Sequence, residues 1–356
     1  MPTKSLCIKV PKIHAEKTLI AANKLEIRNK ELEIQKNTHS IYVQLIRQPS
    51  ETELAMLKTQ VPDFQLVTRA FSERTRQVKT LAEVLENQLP QNLVASLPRA
   101  LDIIGDIAII EIPPELNAHV SLIGEALLKT HRNVRTVLAK AGVVSGTYRL
   151  REFAVIAGKP RTITVHKEHG CRYYVDAAKA YFSPRLSNEH NRVASMVQAG
   201  ETVVDLFAGV GPFAVLIAKK TADAKVYAVD INPDAVELLK RNIRLNRVEN
   251  RVYPISGDAR QIVEHKLSGV ADRVIMNLPE KALEFVDAAC KAVKPAGGMV
   301  HFYGFVRLPD SLENMQSRFS ENVEKAGRKV EKFLFAKTIR ETAPYEWQVV
   351  LDAKIL

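Results

Sequence analysis

From residue 201 onward the hydrophobic pattern switches repeatedly between two periods. Short apolar, β-branched runs at 202–207, 225–230, 252–256, 273–277, 299–305, 329–335 and 347–353 read as buried strands. Between them, 233–246, 281–293 and 311–326 repeat their apolar residues at helical spacing. Strands alternating with helices predict a parallel sheet covered on both faces. Only a short polar stretch, 336–346, separates the last two runs. That predicts an antiparallel hairpin at the sheet edge.

The first 200 residues are patterned differently. Residues 5–10, 33–36, 40–46 and 61–68 read as strands, and 14–23 and 51–58 as helices, with Ser50 placed to cap the second. Residues 72–98 are polar and helical in pattern. A second unit follows: a β-rich run at 103–112 interrupted by Gly105-Asp106, a helix at 114–130, and strands at 134–138 and 147–153. Alternation along 147–153 puts Arg149 and Arg151 on one face and Tyr148 and Leu150 on the other. Residues 161–167 and 171–176 flank Glu168-His-Gly170 as a hairpin would. Ser187 and Asn188 stand as N-caps for a helix through Met196. The expected division is therefore a small α/β module at 1–71, a linker helix with a middle α/β (α+β) domain at 72–160, and a large α/β domain at 161–356. A chain of 356 residues suits two or three domains.

Composition narrows the class. Hydrophobic residues make up 46%, enough for a core in each domain, and no apolar run is long enough to predict a membrane span. The N-terminal stretch lacks the apolar core of a signal peptide. Cys7, Cys171 and Cys290 lack metal-ligand spacing and read as reduced thiols of a cytosolic protein. No metal is expected, and His166, His169 and His190 are not read as ligands. The net charge of +11 is uneven: residues 127–196 carry thirteen Lys and Arg against four Asp and Glu. Such clustering is the footprint of a polyanionic partner. Arg132, Arg135, Arg149, Arg151, Lys159 and Arg161 are the candidate contacts to such a partner, RNA-binding if that partner is RNA.

The chemistry begins at Asp205-Leu-Phe-Ala-Gly-Val-Gly-Pro-Phe213, a strand end, a glycine turn and a helix start. Gly209 and Gly211 permit the sharp turn, and Pro212 suits the first helical position. Ligands of such sheets bind beyond the carboxyl ends of the strands. There the sequence offers Asp205, Phe207, Ala208, Gly209, Gly211, Pro212 and Phe213 from the turn. Later strand ends offer Asp230 and Ile231, then Asp258 and Ala259, then Asn277 and Pro279. Asp230 is placed to accept ribose hydroxyls and Asp258 an adenine amine. An acid after the second strand serves NAD equally well. The absence of G-x-G-x-x-G spacing, and the likeness of Asn277-Leu-Pro279 to the Asn/Asp-Pro-Pro-Tyr motif of nitrogen methylases, favour S-adenosylmethionine.

These words, with Tyr148-Arg-Leu-Arg-Glu-Phe153, Thr164-Val-His-Lys-Glu168, Tyr181-Phe-Ser-Pro-Arg-Leu186 and Ala228-Val-Asp-Ile-Asn-Pro233, run in order across residues 148–279. Together the chain resembles the archaeal and eukaryotic tRNA (guanine-37-N1)-methyltransferases. The resemblance implies a class I, Rossmann-like, S-adenosylmethionine-dependent methyltransferase domain behind two smaller domains. It implies a tRNA substrate with guanosine at position 37, a monomer and no membrane. Glu189 matches the general base that takes the N1 proton, and Arg149 the arginine facing O6. Asn277 matches a residue holding the base edge, Tyr181 one ordering the active-site loop, and Arg185 a cofactor contact. The chain departs at Ser187-Asn188-Glu189-His190, where glycines before the acid and an arginine after it are commoner. Three alternatives stay open: aminocarboxypropyl transfer in wyosine synthesis, methylation of a tricyclic wyosine intermediate in addition, and a tRNA-binding protein with a vestigial pocket.

Overall fold

The computed structural model describes residues 3–61, 63–72, 80–142, 146, 148 and 150–356. Arg149 lies outside them. The chain divides into two compact units, Met1–Glu83 and Val84–Leu356.

In the first unit, β1 (Thr3–Pro11), β2 (Gln35–Lys36), β3 (Ser40–Gln44) and β4 (Gln65–Phe71) form an antiparallel sheet in the order β2-β3-β1-β4. Helices Ala15–Lys24 and Glu51–Gln60 bury Ala22 and Leu57 with Ile8, Val10 and Val43. Ser50 caps the second helix as expected. Its side chain accepts from the Glu53 N–H while the Glu53 carboxylate accepts from the Ser50 N–H.

Among its described residues the second unit holds three sheets. β5 (Leu101–Ile104), β6 (Ile107–Ile110), β7 (Thr136–Lys140) and β8 (Phe153–Gly158) run in that order, with β6 and β7 parallel. Gly105 and Asp106 make the β5–β6 turn, and the helix Val120–Thr130 supplies the crossover to β7. The strand expected at 147–153 lies further along. β8 starts at Phe153 because its pairing to β7 begins at Lys140↔Phe153. Arg151 precedes that strand instead of projecting from its face. β9 (Ile163–Glu168) and β10 (Cys171–Asp176) form the expected hairpin, with His169 and Gly170 both at positive φ.

The third sheet contains β11 (Thr202–Asp205), β12 (Lys225–Asp230), β13 (Val252–Ser256), β14 (Arg273–Met276), β15 (Gly298–Arg307), β16 (Val330–Ala343) and β17 (Glu346–Ile355). Their order is β13-β12-β11-β14-β15-β17-β16. β11 to β15 are parallel, and β17 is antiparallel to both β15 and β16. Successive residues on β11 serve opposite layers: Val203 packs with Phe213 and Ala214, Val204 with Val274 and Met276. The edge hairpin is present, but 336–346 is mostly strand. β16 extends to Ala343 through several register shifts, held by pairing to β17 although its residues from 336 on are mostly charged or polar.

Candidate active site

Between β11 and the helix Pro212–Lys220 the chain must reverse within a few residues. Gly209 and Gly211 do so at φ 54° and 88°. A Cβ on Gly211 would stand 2.3 Å from Leu239 Cδ1, so this glycine also lets the helix Pro233–Asn246 pack close. That helix holds the turn in return. Asn242, fully buried, donates to the Val210 carbonyl at 2.9 Å and accepts from the Tyr174 N–H at 2.6 Å.

β11 is flanked by β12 and β14, so connections leave its two sides in opposite directions. The crevice expected at such a switch point is there. A cavity of about 250 Å³ is lined by Leu206–Gly209 and Pro212, by Asp230–Asn232, by Gly257–Ala259, and by Asn277 and Leu278. Tyr181–Ser183, Leu186 and His190 close it from the approach segment, and Phe285 from the far side.

The acids of this wall differ in state. Asp230 accepts from the Gly209 N–H at 2.6 Å and from the Asn232 N–H at 2.8 Å, one bond per oxygen. Each oxygen keeps a lone pair for a guest. Burial raises the Asp230 carboxyl above the ordinary carboxylate range, against the pull of those two N–H groups. Asp205 lies behind the turn, fully buried, with Oδ2 unbonded among the described residues. Burial pushes its carboxyl up to about 7; the Phe207 N–H opposes this and the Asp230 charge adds to it. Asp258 spends Oδ1 on the Arg260 and Gln261 N–H groups at the helix Ala259–Ile262. The Asn277 amide lines the cavity and does not cap the following helical turn, whose N-cap is Lys281.

Glu189 is placed differently. It sits in the first turn of the helix Ser187–Ala194, between lining residues Leu186 and His190, but is not itself in the wall. Ser187 and Asn188 do not cap that helix. The 3-10 turn Pro184–Leu186 runs directly into it, and the Ser187 hydroxyl pairs with His169 instead. The Glu189 carboxylate accepts from Arg192 Nε at 2.9 and 3.1 Å and from the Tyr303 hydroxyl at 3.0 Å. Arg192 also pairs with both oxygens of Asp352, whose Oδ1 accepts from His301 Nδ1 at 2.6 Å. Arg273 reaches His301 Nε2 at 2.8 Å and pairs with Glu201. Burial favours a neutral imidazole at His301, and its pKa is lowered. An arginine only donates, so Nε2 must accept and the proton sits on Nδ1, facing Asp352.

Of the expected site residues, Tyr181, Phe207, Ala208, Gly209, Pro212, Asp230, Ile231, Asp258, Ala259 and Asn277 meet at one cavity. Others do not reach it. Arg185 turns to Asp102 on β5 and forms an ion pair there. Phe213 is 2% exposed in the core, Gly211 serves packing, and Pro279 falls outside the wall. Among the basic residues, Arg132, Arg135 and Lys159 are exposed. Arg161 is paired with Asp106, and Arg151 lies 4.0 Å from Glu111. Sequence reasoning missed Arg192, His301, Tyr303 and Asp352. For the last three the signal was a polar or charged residue inside an apolar strand, as at Val349-Val-Leu-Asp-Ala353; Arg192 lies on a polar helix and gave none, and the partners were not readable.

The family described as the TRM5/TYW2 methyltransferase domain matches residues 164–332, and the TYW2 N-terminal domain matches residues 81–162. Among curated relatives, the chain is 43% identical to the tRNA (guanine(37)-N(1))-methyltransferase Trm5b of Pyrococcus abyssi, covering 85% of this chain and 88% of that one. It is 34% identical to the tRNA 4-demethylwyosine(37)-methyltransferase Taw21 of Saccharolobus solfataricus, covering 78% and 99%. The crystal structure of Pyrococcus abyssi Trm5b superposes with a TM-score of 0.73 at 37% identity, over 99% of both chains. That of Methanocaldococcus jannaschii Trm5 in complex with adenosine gives 0.64 at 33%, over 98% and 99%.

Proposed function

The chain belongs to the TRM5/TYW2 methyltransferase family, and we propose that its reaction is transfer of a methyl group from S-adenosylmethionine to N1 of guanosine 37 in tRNA. One observation carries this reading: Asp230, Asp258 and Asn277, from three separate strand ends, converge with the glycine turn on one cavity at the switch point.

The residues fit a nucleoside-bearing methyl donor. Asp230 has lone pairs open for ribose hydroxyls. Asp258 has its second oxygen for an adenine amine. The Gly209 backbone, where a Cβ would meet no atom closer than 3.6 Å, leaves room for close approach. When bound, the cofactor supplies an electrophilic methyl group on a positively charged sulfur. The chain supplies the rest. Guanine N1 carries a proton, so its nitrogen becomes a nucleophile only as that proton leaves. Glu189 takes it, freeing the N1 lone pair for the methyl group, which a bound donor would supply with a neutral thioether as its leaving group. Asn277 holds the base edge, and Tyr181 orders the wall beside it. Arg149 offsets the charge that builds on O6. Arg132, Arg135, Arg151, Lys159 and Arg161 hold the RNA backbone. We place it, as the family resemblance implies, in the cytosol as a monomer. Its three cysteines are free and buried, and no described helix is long and apolar enough to cross a membrane.

The test is methyl-labelled S-adenosylmethionine with tRNA transcripts bearing G or A at position 37. Label on the G transcript alone is expected. Label on both, or on neither, overturns the reading. A parallel reaction labelled in the aminocarboxypropyl chain detects the wyosine-type transfer, since label reaching RNA there reports the other group.

A further inference from the structure

Glu189 is read above as the base, and the inference that follows rests on that reading. A carboxylate that takes a proton during the reaction needs a fixed orientation. In this chain that orientation comes from a file of groups outside the cavity wall. Tyr303, on β15 and fully buried, donates its hydroxyl to Glu189 Oε2 at 3.0 Å. Arg192, three residues on along the same helix, grips both carboxylate oxygens. Its guanidinium lies 4.5 Å from the centre of the Phe335 ring on β16. Asp352, on β17 and fully buried, holds the other face of the guanidinium. His301, on β15, holds Asp352 from behind, and Arg273 with Glu201 closes the file.

We propose that Tyr303 and Arg192 are the positioning residues of the base, and that the Asp352–His301 pair keeps Arg192 in register for that task. An isolated arginine four bonds from its backbone anchor has many rotamers; one clamped between two carboxylates has few. The clamp therefore fixes where the Glu189 oxygens point. Removing one donor leaves a carboxylate that is less well aimed.

The experiment measures single-turnover methyl transfer across pH for the full chain, with Glu189→Gln, Tyr303→Phe and Arg192→Lys beside the parent. Tyr303→Phe deletes one hydroxyl and keeps the ring. Its plateau rate is expected to fall about tenfold. The KM for S-adenosylmethionine should stay within about twofold. Arg192→Lys keeps the charge, loses the fork, and should lower the plateau as well. A structural role alone would lower the melting temperature and leave the plateau rate of the folded protein where it was. If Glu189→Gln is inactive while both variants keep the parental plateau, positioning is refuted and the base stands. If Glu189→Gln turns over at the parental rate, the assignment of the base fails, and the positioning inference fails with it.

Discussion

The two halves of the site are built by different means. The half that would receive the nucleoside is made of backbone: a glycine turn, two N–H groups on Asp230, and a capped helix start at Asp258. Its parts lie at the ends of β11, β12 and β13, each within a few residues of a strand that the hydrophobic pattern already marks. The half that would move the proton is made of side chains from one helix and two distant strands, joined only by folding. The first is a property of local sequence and the second of topology. A turn recurs wherever its few residues recur, whereas a charge file needs the right strand order.

Three substitutions press on this contrast, the largest effect first. Glu189→Gln should lower the methyl-transfer rate at least a hundredfold and leave the dissociation constant for S-adenosylmethionine near its parental value. Calorimetric titration beside the rate measurement checks the split; parallel losses in both would merge the two halves. Asp230→Ala should do the reverse. It removes the acceptor of two backbone N–H groups and of the ribose, so cofactor affinity should fall tenfold or more, with a smaller loss in the rate at saturation.

Asp205→Asn is the mildest and concerns pH. In the folded protein burial raises the Asp205 carboxyl to about 7. In the unfolded chain it ionises near the ordinary value of about 4. A raised folded value means stability that is full below the unfolded value and is lost as pH rises toward 7. Asparagine cannot ionise, so its advantage should grow by about 1.4 kcal/mol per pH unit across that window and level off above it. Thermal melts at pH 5, 6, 7 and 8 test the slope. A constant offset at all four would show that Asp205 titrates as an exposed carboxylate does.

The same contrast explains what was legible. Periodicity located the strands of the large sheet and the hairpin at its edge, because a buried strand announces itself by its own residues. It misjudged 336–343, where β16 owes its form to pairing with β17, not to its own polarity. Phe213 and Gly211 are in the turn motif yet not in the wall, since a motif records what the turn needs for packing as well as for binding. Arg185 was expected at the cofactor; Asp102, more than eighty residues earlier, claims it. Glu189 was legible as an acid at a helix start. That Asp352 stands behind its partner Arg192 depends on β17 inserting between β15 and β16.

That insertion also fixes an order of assembly during synthesis. Every wall residue of the cavity has been made by Phe285, and β11 to β14 can pair by then. β15 lacks its second neighbour until Glu346–Ile355 has left the ribosome, and Arg192 lacks Asp352 for just as long. A nascent chain thus acquires its binding crevice some seventy residues before the parts that orient its proton acceptor. A chain at that stage can hold a methyl donor but is not yet able to spend it.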